Sequence, residues 1–164
     1  MPDKVDQQIA EKLNQKKLEP QKAKAPTNRD KQYLSMGQLM TWINYMLSHH
    51  NFYETIEDLS EGSGYLVLFD QLFPGAINMN LVKKVPKSRY DFFKNWDLLN
   101  KAFFKLKINY VLNTETQSQG TTKINFNFLK WFKEFFDVNA TDELLIKSKA
   151  ALNEEKIFEE NRKK

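Results

Sequence analysis

An all-α fold is what this sequence predicts, on three observations. Large apolar residues recur at gaps of three and four through most of the chain, no segment alternates apolar with polar as a half-buried strand does, and the rings crowd into one region. Of the 22 aromatic residues, 21 lie between Gln32 and Asn139 and the last is Phe158. The material for a packed core is therefore confined to about 108 residues, one domain of ordinary size within 164. The expected organisation is an N-terminal extension and linker over 1–31, a helical globule over 32–139 and a helical tail over 140–164.

The stretch Tyr90 to Leu106 is the centre of this scheme. Phe92, Trp96, Leu99, Phe103 and Leu106 line one side of a 3.6-residue helix, and Lys94, Lys101, Lys105 and Lys107 fall between them. One helix thus supplies both core and basic surface.

Taken in order, residues 2 to 19 suit a helix, with Pro2 and Asp3 in a first turn and Val5, Ile9 and Leu13 every fourth residue. Three aliphatics cannot hold such a helix alone in water, so a partner is needed to order it. Pro20 ends it, and Gln21 to Asp30, with Pro26, reads as a linker. At Leu34-Ser35 two start signals coincide: Ser35 with Gln38 makes a capping box, and Leu34 with Leu39 a hydrophobic staple. Leu39, Trp42, Ile43, Met46 and Leu47 give this helix a wide buried face, closed by His49-His50-Asn51. Thr55 caps a short helix over Ile56 to Leu59. Gly62 and Gly64 precede an almost wholly apolar helix from Tyr65 to Phe73, stopped by Pro74-Gly75. Glu61-Gly62-Ser63-Gly64 is not a phosphate loop, since it lacks the preceding strand and the Lys-Ser/Thr pair.

A connection over residues 76 to 87, with one turn near Asn78 to Val82, leads to the central helix, and Lys83, Lys84, Lys87 and Arg89 cluster just before that helix. After it, Val111 to Thr122 reads as a polar loop. Asn125 is expected to cap the last core helix, whose Phe126, Phe128, Leu129, Trp131, Phe132, Phe135 and Phe136 leave little polar surface. From Thr141 a final helix carries a thin stripe of Leu144, Leu145, Ala151, Leu152 and Phe158, too short for a stable coiled coil and so either a docking segment or a frayed tail.

Composition excludes several functions. Without cysteine there is no disulfide, thiolate metal site or cysteine nucleophile. Two adjacent histidines on a helix end point apart, so no metal and no cofactor is expected. With only those histidines and scattered carboxylates, no nucleophile, base and orienting residue can be assembled, and the chain reads as a non-enzyme. Core-bound rings offer no stacking platform for nucleic acid. No apolar run approaches the ~20 residues that span a bilayer, and the first 31 residues are polar without a signal core, so an intracellular, soluble protein with no membrane partner is expected. The sequon Asn139-Ala140-Thr141 is then a helix start and not a glycosylation site.

Charge points to a partner. The net charge is a mild +4, but residues 54 to 70 carry five acids and no base, whereas residues 83 to 107 carry eight bases against Asp91 and Asp97. Such separation makes a positive region suited to an acidic surface.

The order of several blocks is familiar: Trp42-Ile43-Asn44, Gly62 to Phe73 running into Leu72-Phe73-Pro74-Gly75, Asn95-Trp96, and Phe126-Asn127-Phe128-Leu129-Lys130-Trp131-Phe132-Lys133-Glu134-Phe135-Phe136-Asp137. From Leu34 to Asp137 the chain closely resembles the calponin homology domain of the microtubule end-binding protein family. The last block is the specific one, and the actin-binding branch of the same fold lacks it.

The resemblance implies a compact helical globule that docks on the tubulin lattice between protofilaments. Carried over by position, the family's basic contacts before the long helix are matched by Lys83, Lys84 and Lys87, with Arg89 beside them. Three others are replaced, by Met36, Tyr110 and Thr121, and Lys123 is placed to substitute for the last. Each lost charged contact costs ~1 to 3 kcal/mol, which favours a stable structural place on microtubules over transient binding. The expected tubulin-binding residues are therefore Lys83, Lys84, Lys87, Arg89, Tyr110 and Lys123. The chain stops 27 residues after Asp137, short of the family's dimerising coiled coil, so a monomer is expected. The terminal segments would add contacts to other microtubule-associated proteins, and the long stable doublets of a ciliary axoneme are the expected setting within the cytoskeleton. Two alternatives stand beside this: a monomeric tracker of growing plus ends, and an adaptor that uses the same fold to bind another protein.

Overall fold

The computed structural model describes residues 22–48 and 51–162, and for 154–162 the backbone alone. The helix expected over residues 2 to 19 and the pair His49-His50 lie outside the described residues. The α-helices are α1 (Met36–Met46), α2 (Ser63–Leu72), α3 (Arg89–Lys105), α4 (Thr114–Ser118), α5 (Thr122–Asn139) and α6 (Asp142–Arg162), with 3-10 turns at Asn28–Asp30, Ile56–Glu61 and Met79–Leu81. Among the described residues there is no strand.

The start of α1 follows its sequence signals. Ser35 Oγ accepts from the Gln38 amide at 3.1 Å while Gln38 Oε1 accepts from the Ser35 amide at 2.9 Å, so two otherwise unpaired donors are satisfied reciprocally. Ser88 opens α3 by accepting from the Asp91 amide at 3.2 Å. At its other end Lys107 turns left-handed at φ 57, and Ile108 N donates to Phe103 O at 2.9 Å, closing the helix.

The core lies where α2, α3 and α5 meet. Tyr65 of α2 sits 5.3 Å from Trp96 of α3 and 4.8 Å from Phe128 of α5, centroid to centroid, and Trp96 is 5.1 Å from Phe128. The two pairs with Phe128 are edge-to-face, and such pairs contribute about 0.5–1.5 kcal/mol each beyond their buried area. Of the stripe that defined the central helix, Trp96, Leu99 and Phe103 are buried, while Phe92 and Leu106 at its ends are half-buried.

Two local expectations need correction. The segment Val111 to Thr122 is not wholly a loop, because Asn113 accepts from the Thr116 amide at 3.0 Å and starts α4, which buries Gln117 and Ser118. The inward residues of α4 are polar, so no apolar period betrayed it. Asn125 does not cap α5. The helix begins one turn earlier, after Thr121, and Asn125 is buried inside it, donating to Thr121 O at 2.9 Å and to Ser60 Oγ at 2.8 Å.

The linker and the last helix are fastened to the body. Lys24 and Asn139 exchange two hydrogen bonds, at 2.7 and 2.8 Å. From Asp142 to Leu152 the helix α6 docks on α1, burying Ser148 and Ala151, with Trp42 Nε1 donating to Ser148 Oγ at 2.8 Å. For these residues docking, and not fraying, is the description.

Candidate functional site

The connection before α3 is shaped by α3 itself. Asn95, fully buried, donates from Nδ2 to Glu61 O at 2.8 Å and Lys83 O at 3.0 Å, and accepts at Oδ1 from the Lys83 amide at 2.9 Å. One side-chain amide thus holds the Lys83 peptide as a neighbouring strand would. One turn earlier on α3, Asp91 Oδ2 accepts from the Lys87 amide at 2.9 Å. Val82 is buried between the 3-10 turn and this point. Backbone is therefore pinned at two places, while the side chains of Lys83, Lys84 and Lys87 stay in solvent.

The glycine turn belongs to the same clamp. Gly62 has φ 81, and a Cβ there would come within 3.1 Å of Asn95 Cβ and 3.2 Å of Trp96 Nε1. Only glycine lets the Ser60–Gly62 backbone approach closely enough for Trp96 Nε1 to reach Ser60 O at 2.8 Å. This is the role of a segment whose composition superficially suggests phosphate binding.

Over the pinned connection opens a surface hollow of about 360 Å³, with Leu81, Tyr90 and Leu98 as apolar lining and Lys83, Lys94 and Lys101 as cations. Leu81 and Tyr90 are 57% and 65% exposed, so the hollow offers apolar surface beside its cations. Lys101 pairs with Asp97 at 3.0 Å, and Lys94 lies 5.3 Å above the Tyr90 ring. Among the described residues, ion pairs join only Lys101 to Asp97 and Lys133 to Asp137, so the side-chain cations of Lys83, Lys84, Lys87, Arg89 and Lys94 are in no ion pair there. Their fields add over one face.

The six expected contact residues divide. Lys83, Lys84, Lys87 and Arg89 come together on the pinned connection and the first turn of α3, all exposed. Of the six, Lys83 alone lines the hollow, and Tyr110 and Lys123 lie on other segments. Tyr110 packs its ring against Trp131 at 4.1 Å and Phe128 at 5.7 Å, half-buried, and that burial pushes its phenol up. Lys123 is exposed in the first turn of α5, next to Thr122, whose hydroxyl donates to Glu57 Oε1. Lys94 and Lys101, which the sequence places on the basic side of the central helix, line the hollow with Lys83, although they are not among the six expected contacts.

An exposed basic face with an apolar lining can hold a carboxylate-rich surface. No family model matches the chain. Among the solved structures that match is a chain from work on the structural basis of microtubule plus end tracking by XMAP215, CLIP-170 and EB1, with a TM-score of 0.61 and 26% identity, covering 66% of this chain and 90% of that chain. This chain shares the fold of that chain over 66% of its length.

Proposed function

We propose that the protein binds microtubules, setting the face around Lys83, Lys84, Lys87 and Arg89 on the acidic surface of tubulin in the groove between protofilaments. The likeness to a chain from a microtubule plus-end tracking structure carries this reading, since it combines fold with 26% identity over nine tenths of that chain. The Asn95 clamp supports it independently. A backbone held by a buried amide presents its lysines without the ordering cost that a free loop meets on binding. Within this reading the protein is a stable structural part of the lattice, with the ciliary doublet as its setting, and its calponin homology fold is of the end-binding type.

Co-sedimentation of the full chain with taxol-stabilised microtubules tests the function. The protein is expected to pellet at low ionic strength and to be released by salt, because screening weakens exposed pairs. Joint Lys83→Glu and Lys87→Glu substitution is expected to weaken pelleting at least about tenfold, at ~1 kcal/mol or more per reversed contact. A wild-type chain that stays in the supernatant in dilute buffer ends the proposal and leaves the adaptor reading. A second reading, tracking of growing ends, is favoured by the subject of the similar structure. A fluorescent fusion separates the two, since a lattice component decorates evenly and a tracker forms comets.

A further inference from the structure

A second hollow, of about 630 Å³, lies between Lys31 to Ser35, the segment that enters α1, and the middle of α5 from Phe126 to Glu134. None of the residues lining it lines the hollow at Lys83. It is floored by Phe126 and Trp131, both half-buried, and bordered by Tyr33, which is 89% exposed. Its shape is built in. Trp131 is backed by Tyr110 at 4.1 Å and stacked on Phe135 at 4.9 Å, and the linker wall is fixed through Gln32, which donates from Nε2 to Asp137 Oδ2 at 2.7 Å and accepts from Lys133 Nζ at 2.9 Å.

The charges here are arranged unusually. Lys130 and Glu134 stand one turn apart on α5, a spacing that ordinarily pairs opposite charges. Yet Glu134 Oε1 is engaged by the Gln32 amide at 2.9 Å, holding the linker, while the Lys130 ammonium sits 4.5 Å above the Phe126 ring. The carboxylate serves the wall and the cation faces the hollow. Lys31, exposed on the opposite side, adds a second cation.

The geometry points to a second binding site in this hollow, for an acidic segment of a partner protein that carries one aromatic or aliphatic side chain. That side chain lies against Phe126 and Trp131, and the carboxylates flanking it reach Lys130 and Lys31. A basic segment would meet like charge, and a purely polar anion would leave the aromatic floor unused.

The tryptophans supply a local test. The indole N–H groups of Trp42 and Trp96 are donated inside the core, to Ser148 and Ser60, so among the three only Trp131 reports on the hollow. The isotope-labelled full chain is titrated with a short peptide of glutamates around a single phenylalanine, and the indole resonances are followed by NMR. The Trp131 signal is expected to shift saturably while those of Trp42 and Trp96 stay. Lys130→Gln is expected to weaken the titration at least about tenfold, Lys130→Arg to retain it, and Lys83→Gln to leave it unchanged. Unmoved Trp42 and Trp96 signals in each variant show that the fold persists. The inference is overturned by a Trp131 signal that ignores the peptide, by an equal response to the same peptide with glutamine for glutamate, or by a Trp131 shift that follows protein concentration alone, which would seat a second copy there.

Discussion

Trp96 and Trp42 are both fully buried, and each donates its indole N–H at 2.8 Å, but to different kinds of acceptor. Trp96 and its neighbour Asn95 bond to the backbone of Ser60, Glu61 and Lys83. Trp42 bonds to a side chain, Ser148 Oγ, which donates in turn to Asp137 Oδ1 at 2.6 Å, and Asp137 also takes the buried Lys133 ammonium and Gln32 Nε2. Carbonyl acceptors are supplied by any residue, so beyond the glycine at Gly62 the first region takes its side-chain contacts from α3 to shape the lysine-bearing connection. The second is a relay in which several side chains must all be right, and it is what ties the linker and α6 to the body.

Breaking the relay at its charge has the largest expected effect. Asp137→Ala leaves Lys133, 3% exposed in its side chain, as an unpaired buried cation, and is expected to cost about 3–5 kcal/mol in denaturant unfolding. A cost below ~1 kcal/mol would mean that the relay is ornamental. Asn95→Ala comes next. It removes three hydrogen bonds and orphans the Lys83 peptide, for about 2–3 kcal/mol, and unlike Asp137→Ala it is expected to weaken microtubule pelleting more than its stability loss explains. Equal pelleting by folded Asn95→Ala protein would detach the clamp from function. Ser148→Ala, which strands the Trp42 N–H, is expected to cost about 1–2 kcal/mol and to raise hydrogen exchange in α6 and not in α3.

The smallest effect concerns pH. Burial pushes the Glu61 carboxyl above its ordinary value, against the opposing hydrogen bonds from Ser63, Tyr53 and the Gly64 amide. The folded state therefore keeps this proton to higher pH than the unfolded chain does. Its contribution to stability is complete below the ordinary carboxylate range and is lost as pH rises through the raised value. Glu61→Gln is expected to flatten that part of the stability profile, read from denaturation midpoints at successive pH values, and a slope unchanged by the substitution would assign it elsewhere.

Much of the fold was legible because it follows from local rules. The capping box at Ser35, the stop after Leu72, and the inward faces of α1, α3 and α5 are set by residues three and four apart. The polar helix α4 escaped because it buries Gln117 and Ser118, which carry no periodic apolar signal. Asn125 misled as a cap because its side chain suits both a helix start and a buried bond, and only the packing of Ser60 against α5 chose between them.

The candidate site was legible in charge and not in shape. Composition placed bases at 83 to 107, and the period placed Lys94 and Lys101 on one face of α3. What put Lys83 over the same apolar patch was Asn95, bonded to Glu61 across 34 positions of sequence. So the chain alone determined its apolar helices, its buried rings and the sign of its surface, since these arise from neighbours along the backbone. Which lysines share a face, where Tyr110 rests, and how α6 is held were decided by tertiary structure, because hydrogen bonds between distant residues leave no pattern in a linear sequence.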